Sequence, residues 1–128
     1  MIRRISAAVL LGLLLAAFAA PGALARDDEV RRRAACSLNS EWRLIVRRET
    51  STTLRVRYVL DTERAGQTWS VFLSMNGKRL ASVTRTTNAE GYIRITRYPV
   101  DRAGTDTISG AANGPTGETC LGSLDFPY

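Results

Sequence analysis

Trp69-Ser70-Val71-Phe72-Leu73-Ser74-Met75-Asn76-Gly77-Lys78 decides the fold. Trp69, Val71, Leu73 and Met75 alternate with Ser70, Phe72 and Ser74. That period of two puts one side of an extended strand into a core and leaves the other outside. Asn76-Gly77 follows at once, a dipeptide suited to the positive φ angles of a two-residue type I′ turn. The chain then returns as a second strand over Lys78 to Thr87.

The same alternation recurs on both sides of this hairpin. Trp42, Leu44 and Val46 interleave with Arg43, Ile45 and Arg47, and Leu54, Val56, Tyr58 and Leu60 with Arg55, Arg57 and Val59. Tyr92 to Tyr98 carries Ile93 and Ile95 on one side, and Thr107 to Ala112 and Thr119 to Phe126 complete the series. Glu49–Thr52, Asp61–Gln67, Asn88–Gly91, Asp101–Thr105 and Asn113–Gly117 are turn-forming connections. These seven short strands predict an all-β, antiparallel two-sheet sandwich. The first, second and fifth strands form one sheet; the third, fourth, sixth and seventh form the other. A small Greek-key barrel is the alternative. The expected core is Trp42, Leu44, Val46, Leu54, Val56, Tyr58, Trp69, Val71, Leu73, Ile93, Ile95, Ile108, Leu124 and Phe126.

The N-terminal segment reads differently. Arg3 and Arg4 precede an uncharged apolar stretch from Ala7 to Ala20, then Pro21-Gly22 and Ala23-Leu24-Ala25. This is the order of a secretory signal peptide over residues 1–25, cleaved after Ala25. The apolar run is too short to span a bilayer, so no membrane span is expected after cleavage. Arg31-Arg32-Arg33-Ala34-Ala35 separates that run from Cys36, which argues against a lipidated cysteine. Residues 26–35 are mostly charged and read as a flexible lead-in, leaving residues 36–128 as the sandwich domain.

The two cysteines of an exported chain are expected to pair as Cys36–Cys120, bracketing the domain. After signal removal 15 Arg and one Lys face 12 acids, a net charge near +4. Such a balance favours acidic partners, serves solubility, and is also open to a genomic bias toward Arg.

Short stretches carry a resemblance: Glu63-Arg64-Ala65-Gly66-Gln67-Thr68-Trp69, the Asn76-Gly77 hairpin, Asp101-Arg102-Ala103-Gly104-Thr105-Asp106-Thr107-Ile108 and Thr116-Gly117-Glu118-Thr119-Cys120. Over roughly residues 36–126 the chain resembles short secreted actinobacterial proteins with an immunoglobulin- or fibronectin-III-like sandwich. The resemblance implies a fold and a compartment, and no activity or site residue. The cysteines depart from antibody-type domains in lying at the two ends of the domain.

Chemistry is restricted by composition. There is no histidine, so the commonest general base and transition-metal ligand are missing. A disulfide consumes both thiols. Lys78 sits beside the hairpin turn, a poor setting for a desolvated amine. Neither a phosphate-binding glycine loop nor a standard nucleic-acid motif occurs. No metal site, cofactor or catalytic residue is assigned. The acids Asp61 and Glu63, and the Asp27-Asp28-Glu29 cluster, admit a small carboxylate-dependent hydrolase or a calcium site, but read more simply as solvated loop and tail residues.

Two surfaces remain. If Trp42, Leu44, Val46, Ile93 and Ile95 point inward, Arg43, Arg47, Arg55, Arg57 and Arg94 share an outer face with Tyr92 and Tyr98. Such a face can hold phosphate or sulfate groups of a cell-envelope polyanion, or serve as an ordinary solvated face. On the other sheet, a turn pairing Leu73 with Leu80 places Phe72, Ala81 and Val83 in an apolar strip able to dock an extracellular protein. One extra residue in the hairpin turns Val83 inward instead. The sequence therefore reads as a non-enzymatic extracellular binding or interaction module. The alternative is a secreted enzyme inhibitor presenting the Asp61–Gln67 or Asn113–Gly117 loop.

Overall fold

A computed structural model describes residues 28–128. The signal-peptide expectation for residues 1–25, and Arg26 and Asp27 after it, lie outside the described residues. Eight strands follow in order: β1 Glu29–Ala35, β2 Glu41–Arg48, β3 Leu54–Asp61, β4 Thr68–Met75, β5 Lys78–Thr86, β6 Tyr92–Arg97, β7 Asp106–Asn113 and β8 Thr119–Phe126. They build two antiparallel four-stranded sheets, β1-β2-β3-β6 and β5-β4-β7-β8, with the core between them. The seven expected strands are β2 to β8, divided between the sheets as expected. All fourteen expected core residues are buried. The two sheets remain separate, so the barrel alternative does not apply.

The eighth strand corrects the expectation of a flexible lead-in. Every residue of β1 from Glu29 to Ala35 pairs antiparallel with β2, in register from Glu29 opposite Arg47 to Ala35 opposite Glu41. Composition argued for disorder, but the exposed edge of β2 offers a row of backbone donors and acceptors that an extended segment satisfies. Val30 packs against the core, and Arg32 Nη1 donates to the Ser123 carbonyl at 3.0 Å on the opposite sheet. At its start, the Asp28 carboxylate meets Arg48 Nε at 3.3 Å, and the same guanidinium meets Asp101 at 2.6 Å. These carboxylates hold the Arg48 pKa above its ordinary value, Asp101 foremost and against the opposing effect of desolvation.

The hairpin holds a second correction. Asn76 and Gly77 take φ of 52° and 78°, and Met75 pairs with Lys78 and Ser74 with Arg79, as a two-residue turn requires. A bulge at Leu80 then advances β5 by one residue, so that Leu73 faces Ala81 and Val71 faces Val83. Ala81 is buried and Val83 packs on the core, leaving Phe72 outside. The apolar strip of Phe72, Ala81 and Val83 therefore does not exist. The turn sets the register only as far as the bulge. Asn76 is itself braced: its Nδ2 donates to Asp106 Oδ1 at 2.7 Å, and its Oδ1 accepts from the Thr107 amide at 2.8 Å.

Two aromatic rings fix how the sheets meet. The inward-facing Gly122 of β8 lies against Trp42, and Gly110 of β7 against Tyr58; a Cβ at either would come within 2.4 or 2.7 Å of the ring. Tyr58 donates its hydroxyl to the Cys120 carbonyl at 2.8 Å, and burial pushes its phenol pKa up.

The Cys36–Cys120 disulfide links the end of β1 to β8 across 84 residues. Around it the Ser37 amide donates to the Thr119 carbonyl, and the Thr119 amide returns to Ser37 Oγ, both at 2.9 Å. Glu118 anchors the same segment. Its buried carboxylate accepts from the amides of Leu38 at 3.0 Å and Ser40 at 2.9 Å, and from Ser40 Oγ at 2.6 Å. Burial raises its pKa, but the Ser40 hydroxyl, these two amides and the positive charge of Arg64 outweigh it and hold the group below its ordinary value.

The disulfide, the Glu118 carboxylate and the register of β5 can each be tested. Replacing both cysteines by Ala should cost about 4–5 kcal/mol in urea unfolding, the chain-entropy contribution of a loop of this length. Glu118→Gln should cost about 1–3 kcal/mol at neutral pH by leaving charge-assisted hydrogen bonds unmade. Because the folded pKa of Glu118 is depressed, its stabilisation is full above the unfolded pKa and fades as pH falls through the folded one. The wild-type advantage over Glu118→Gln should therefore shrink on acidification below about pH 4.5 in a pH series of melting curves. Ala81→Asp should unfold the domain by placing a carboxylate in the core, whereas Phe72→Asp should leave it folded by near-ultraviolet circular dichroism.

Candidate anion-binding face

The period of two that buries Trp42, Leu44, Val46, Val56 and Tyr58 turns their neighbours to the solvent side of the first sheet. Strand register then assembles the face. Glu29, Arg47 and Arg55 lie in one cross-strand row, Arg31, Ile45, Arg57 and Thr96 in the next. The third row is Arg33, Arg43, Val59 and Arg94, and the fourth is Ala35, Glu41, Asp61 and Tyr92. Arg43, Arg47, Arg55, Arg57, Arg94 and Tyr92 thus come together as the alternation predicts. Arg94 lies over the Tyr92 ring, 4.9 Å from its centroid. Tyr98 follows the end of β6 and is exposed.

Sequence reasoning missed Arg31 and Arg33. Their alternation with Val30, Arg32 and Ala34 is a strand signal hidden by charge, since only Val30 of the inward set is strongly apolar. With them the face holds seven arginines, while its acids, Glu29, Glu41 and Asp61, stand in the outer rows.

Packing explains how so many cations stand together. Val59 is on the solvent side yet only 5% exposed, between Arg43 and Arg94 on the neighbouring strands. The aliphatic stems of such arginines cover apolar surface while their heads stay in water. Charge is less well accommodated. Arg33 faces Arg43, and Arg47 faces Arg55, directly across the ladder. Like charges placed so repel. Arg31 leans to Glu29 at 3.2 Å and Arg47 to Glu49 at 3.7 Å. Among the described residues, Arg33, Arg43, Arg55, Arg57 and Arg94 make no ion pair. The Nε–H groups of Arg43 and Arg55 are buried and have no acceptor within the described residues. The arrangement offers planar, multidentate donors to acidic oxygens on a flat field.

The loops are fixed by local chemistry. Glu63-Arg64-Ala65-Gly66 and Asp101-Arg102-Ala103-Gly104, two similar loop tetrapeptides, each end in a glycine of positive φ, 73° at Gly66 and 83° at Gly104. Thr62 Oγ1 donates to the Gly91 carbonyl at 2.9 Å, Thr87 Oγ1 to the Arg64 carbonyl at 2.6 Å, and the Gln67 amide to Thr87 Oγ1 at 2.9 Å. Asp61 Oδ1 accepts from the Glu63 amide at 3.3 Å, a local turn contact. In the other loop, the Gly114 amide donates to the Glu118 carbonyl at 2.8 Å and the Gly117 amide to Gly114 at 3.3 Å. Of the acidic tail cluster, Asp28 is engaged by Arg48 and Glu29 by Arg31. No group of three or more candidate metal ligands occurs among the described residues, nor any helix long and apolar enough to cross a membrane.

No protein-family model matches the chain, and no curated protein matches it. The fold and this face define a basic, disulfide-closed β-sandwich domain.

Proposed function

We propose that the protein is a non-enzymatic extracellular binding module that holds a linear polyanion of the cell envelope on the outer face of β1-β2-β3-β6. One observation carries this reading: arginines stand directly opposite one another at Arg33–Arg43 and Arg47–Arg55, and five arginines of the face have no ion pair among the described residues. An ordinary solvated face gains from interspersing both signs, whereas a face of one sign is favourable when an anion neutralises it. The Cys36–Cys120 bond and the signal-like N-terminal sequence support an oxidising compartment outside the membrane.

The disulfide-intact protein should be retained on immobilised heparin and on anionic wall polymer, and should elute as salt rises, because each neutralised charge releases counterions. The double reversal Arg55→Glu, Arg57→Glu should elute at distinctly lower salt while keeping the wild-type melting temperature to within a few degrees. Equal retention of the two proteins overturns the reading.

A further inference from the structure

The second sheet presents a different chemistry on its outer face. The ladder β5-β4-β7-β8 aligns Arg79 opposite Ser74, Ser74 opposite Ser109, and Ser109 opposite Ser123, one row across all four strands. Arg32 arrives from β1 in the other sheet and closes the far end through its 3.0 Å hydrogen bond to the Ser123 carbonyl. Three serines are thus bracketed by two guanidinium groups. Their hydroxyls have no hydrogen-bond partner among the described residues. The adjoining row is apolar: Phe72 opposite Ala111, and Ala111 opposite Leu121, which is 68% exposed. Arg79 lies 4.8 Å from the Phe72 ring centroid, which holds its charge at the end of the serine row. A shallow depression joins both rows, and no acidic residue lines it.

We infer that this depression is a binding site for a short anionic oligosaccharide laid across the strands. Each serine hydroxyl brings one donor and two acceptor sites, the complement of sugar hydroxyls, which also donate and accept. The guanidinium groups at the two ends fit carboxylate or sulfate groups, bidentate where geometry permits. The apolar row receives the C–H face of a pyranose ring, as exposed apolar atoms beside polar anchors do in ligand sites. Three inter-strand steps span roughly 14 Å, room for a few sugar rings. The charge pattern separates this ligand from that of the first sheet: two cations with neutral hydroxyls between them match a sparsely charged chain. The site does not depend on the arginine face, and either stands if the other fails.

Calorimetric titration tests it in the disulfide-intact Arg55→Glu, Arg57→Glu protein, in which the arginine face is disabled, with three probes: a hyaluronan tetrasaccharide with a carboxylate on alternate sugars, a keratan-sulfate tetrasaccharide and neutral cellotetraose. An acidic sugar should bind, with cellotetraose at least tenfold weaker, and the two acidic probes show whether carboxylate or sulfate is preferred. Added to that background, Arg79→Glu and Ser109→Asp should each weaken binding of the acidic sugar at least tenfold. Amide shifts of the Arg55→Glu, Arg57→Glu protein on adding the acidic sugar should map to Ser74, Ser109 and Ser123, a readout independent of how the further variants fold. The inference is overturned if neither acidic sugar binds the Arg55→Glu, Arg57→Glu protein, if cellotetraose binds it equally, if adding Arg79→Glu or Ser109→Asp does not weaken binding, or if the shifts fall away from the serine row.

Discussion

Trp42 and Tyr58 rise from the first sheet into space that the second leaves open only because Gly122 and Gly110 carry no side chain there. The two glycines face each other across the β7–β8 ladder. In a strand interior glycine is an entropic burden and a lost packing surface. Here the large rings occupy the place of the missing side chains, and the Tyr58 hydroxyl reaches past them to the Cys120 carbonyl. This seating ties the central strand β3 to the edge strand β8. It also fixes β8 where Cys36 can meet Cys120, where Glu118 can gather the Leu38 and Ser40 amides, and where Arg32 can cross to Ser123. The other contacts at this end of the domain presuppose it.

A sandwich with one shared interior has two independent exteriors, and this chain uses them differently. Strand alternation requires only that the outward positions be polar. On the first sheet they are mainly arginine, over the half-buried Ile45 and the buried Val59. On the second they are largely serine and threonine, with Phe72, Ala111 and Leu121 among them. Neither choice affects the core, so each exterior was free to acquire its own chemistry.

Most of this architecture is legible in the sequence because it follows from local periodicity. The alternations around Trp42, Leu54 and Trp69 locate three strands and their inner faces, and with Ile93 and Ile95 they place the arginines of β2, β3 and β6 together. What escaped is what depends on distant partners. β1 has almost no apolar signal, and it is a strand because β2 had an edge to fill. The bulge at Leu80 reverses the face of Ala81 and Val83, and no turn residue announces it. The serine row exists only as a product of three registers, so no single segment contains it. Glu118 reads as a loop acid and becomes a buried anchor only when Leu38 and Ser40 arrive from 78 to 80 residues away.

The position of β1 has a consequence for how copies of the chain meet. It is an edge strand, and its outer side presents backbone groups on which another extended chain can template itself. Arg31, Arg32 and Arg33 are consecutive along that edge, so their side chains stand on both faces of the sheet. A second copy adding its own β1 in either direction would bring cation against cation at the centre of the new ladder. The same arginine run that disguises the strand also acts as a gatekeeper, keeping this edge from nucleating sheet-to-sheet aggregation.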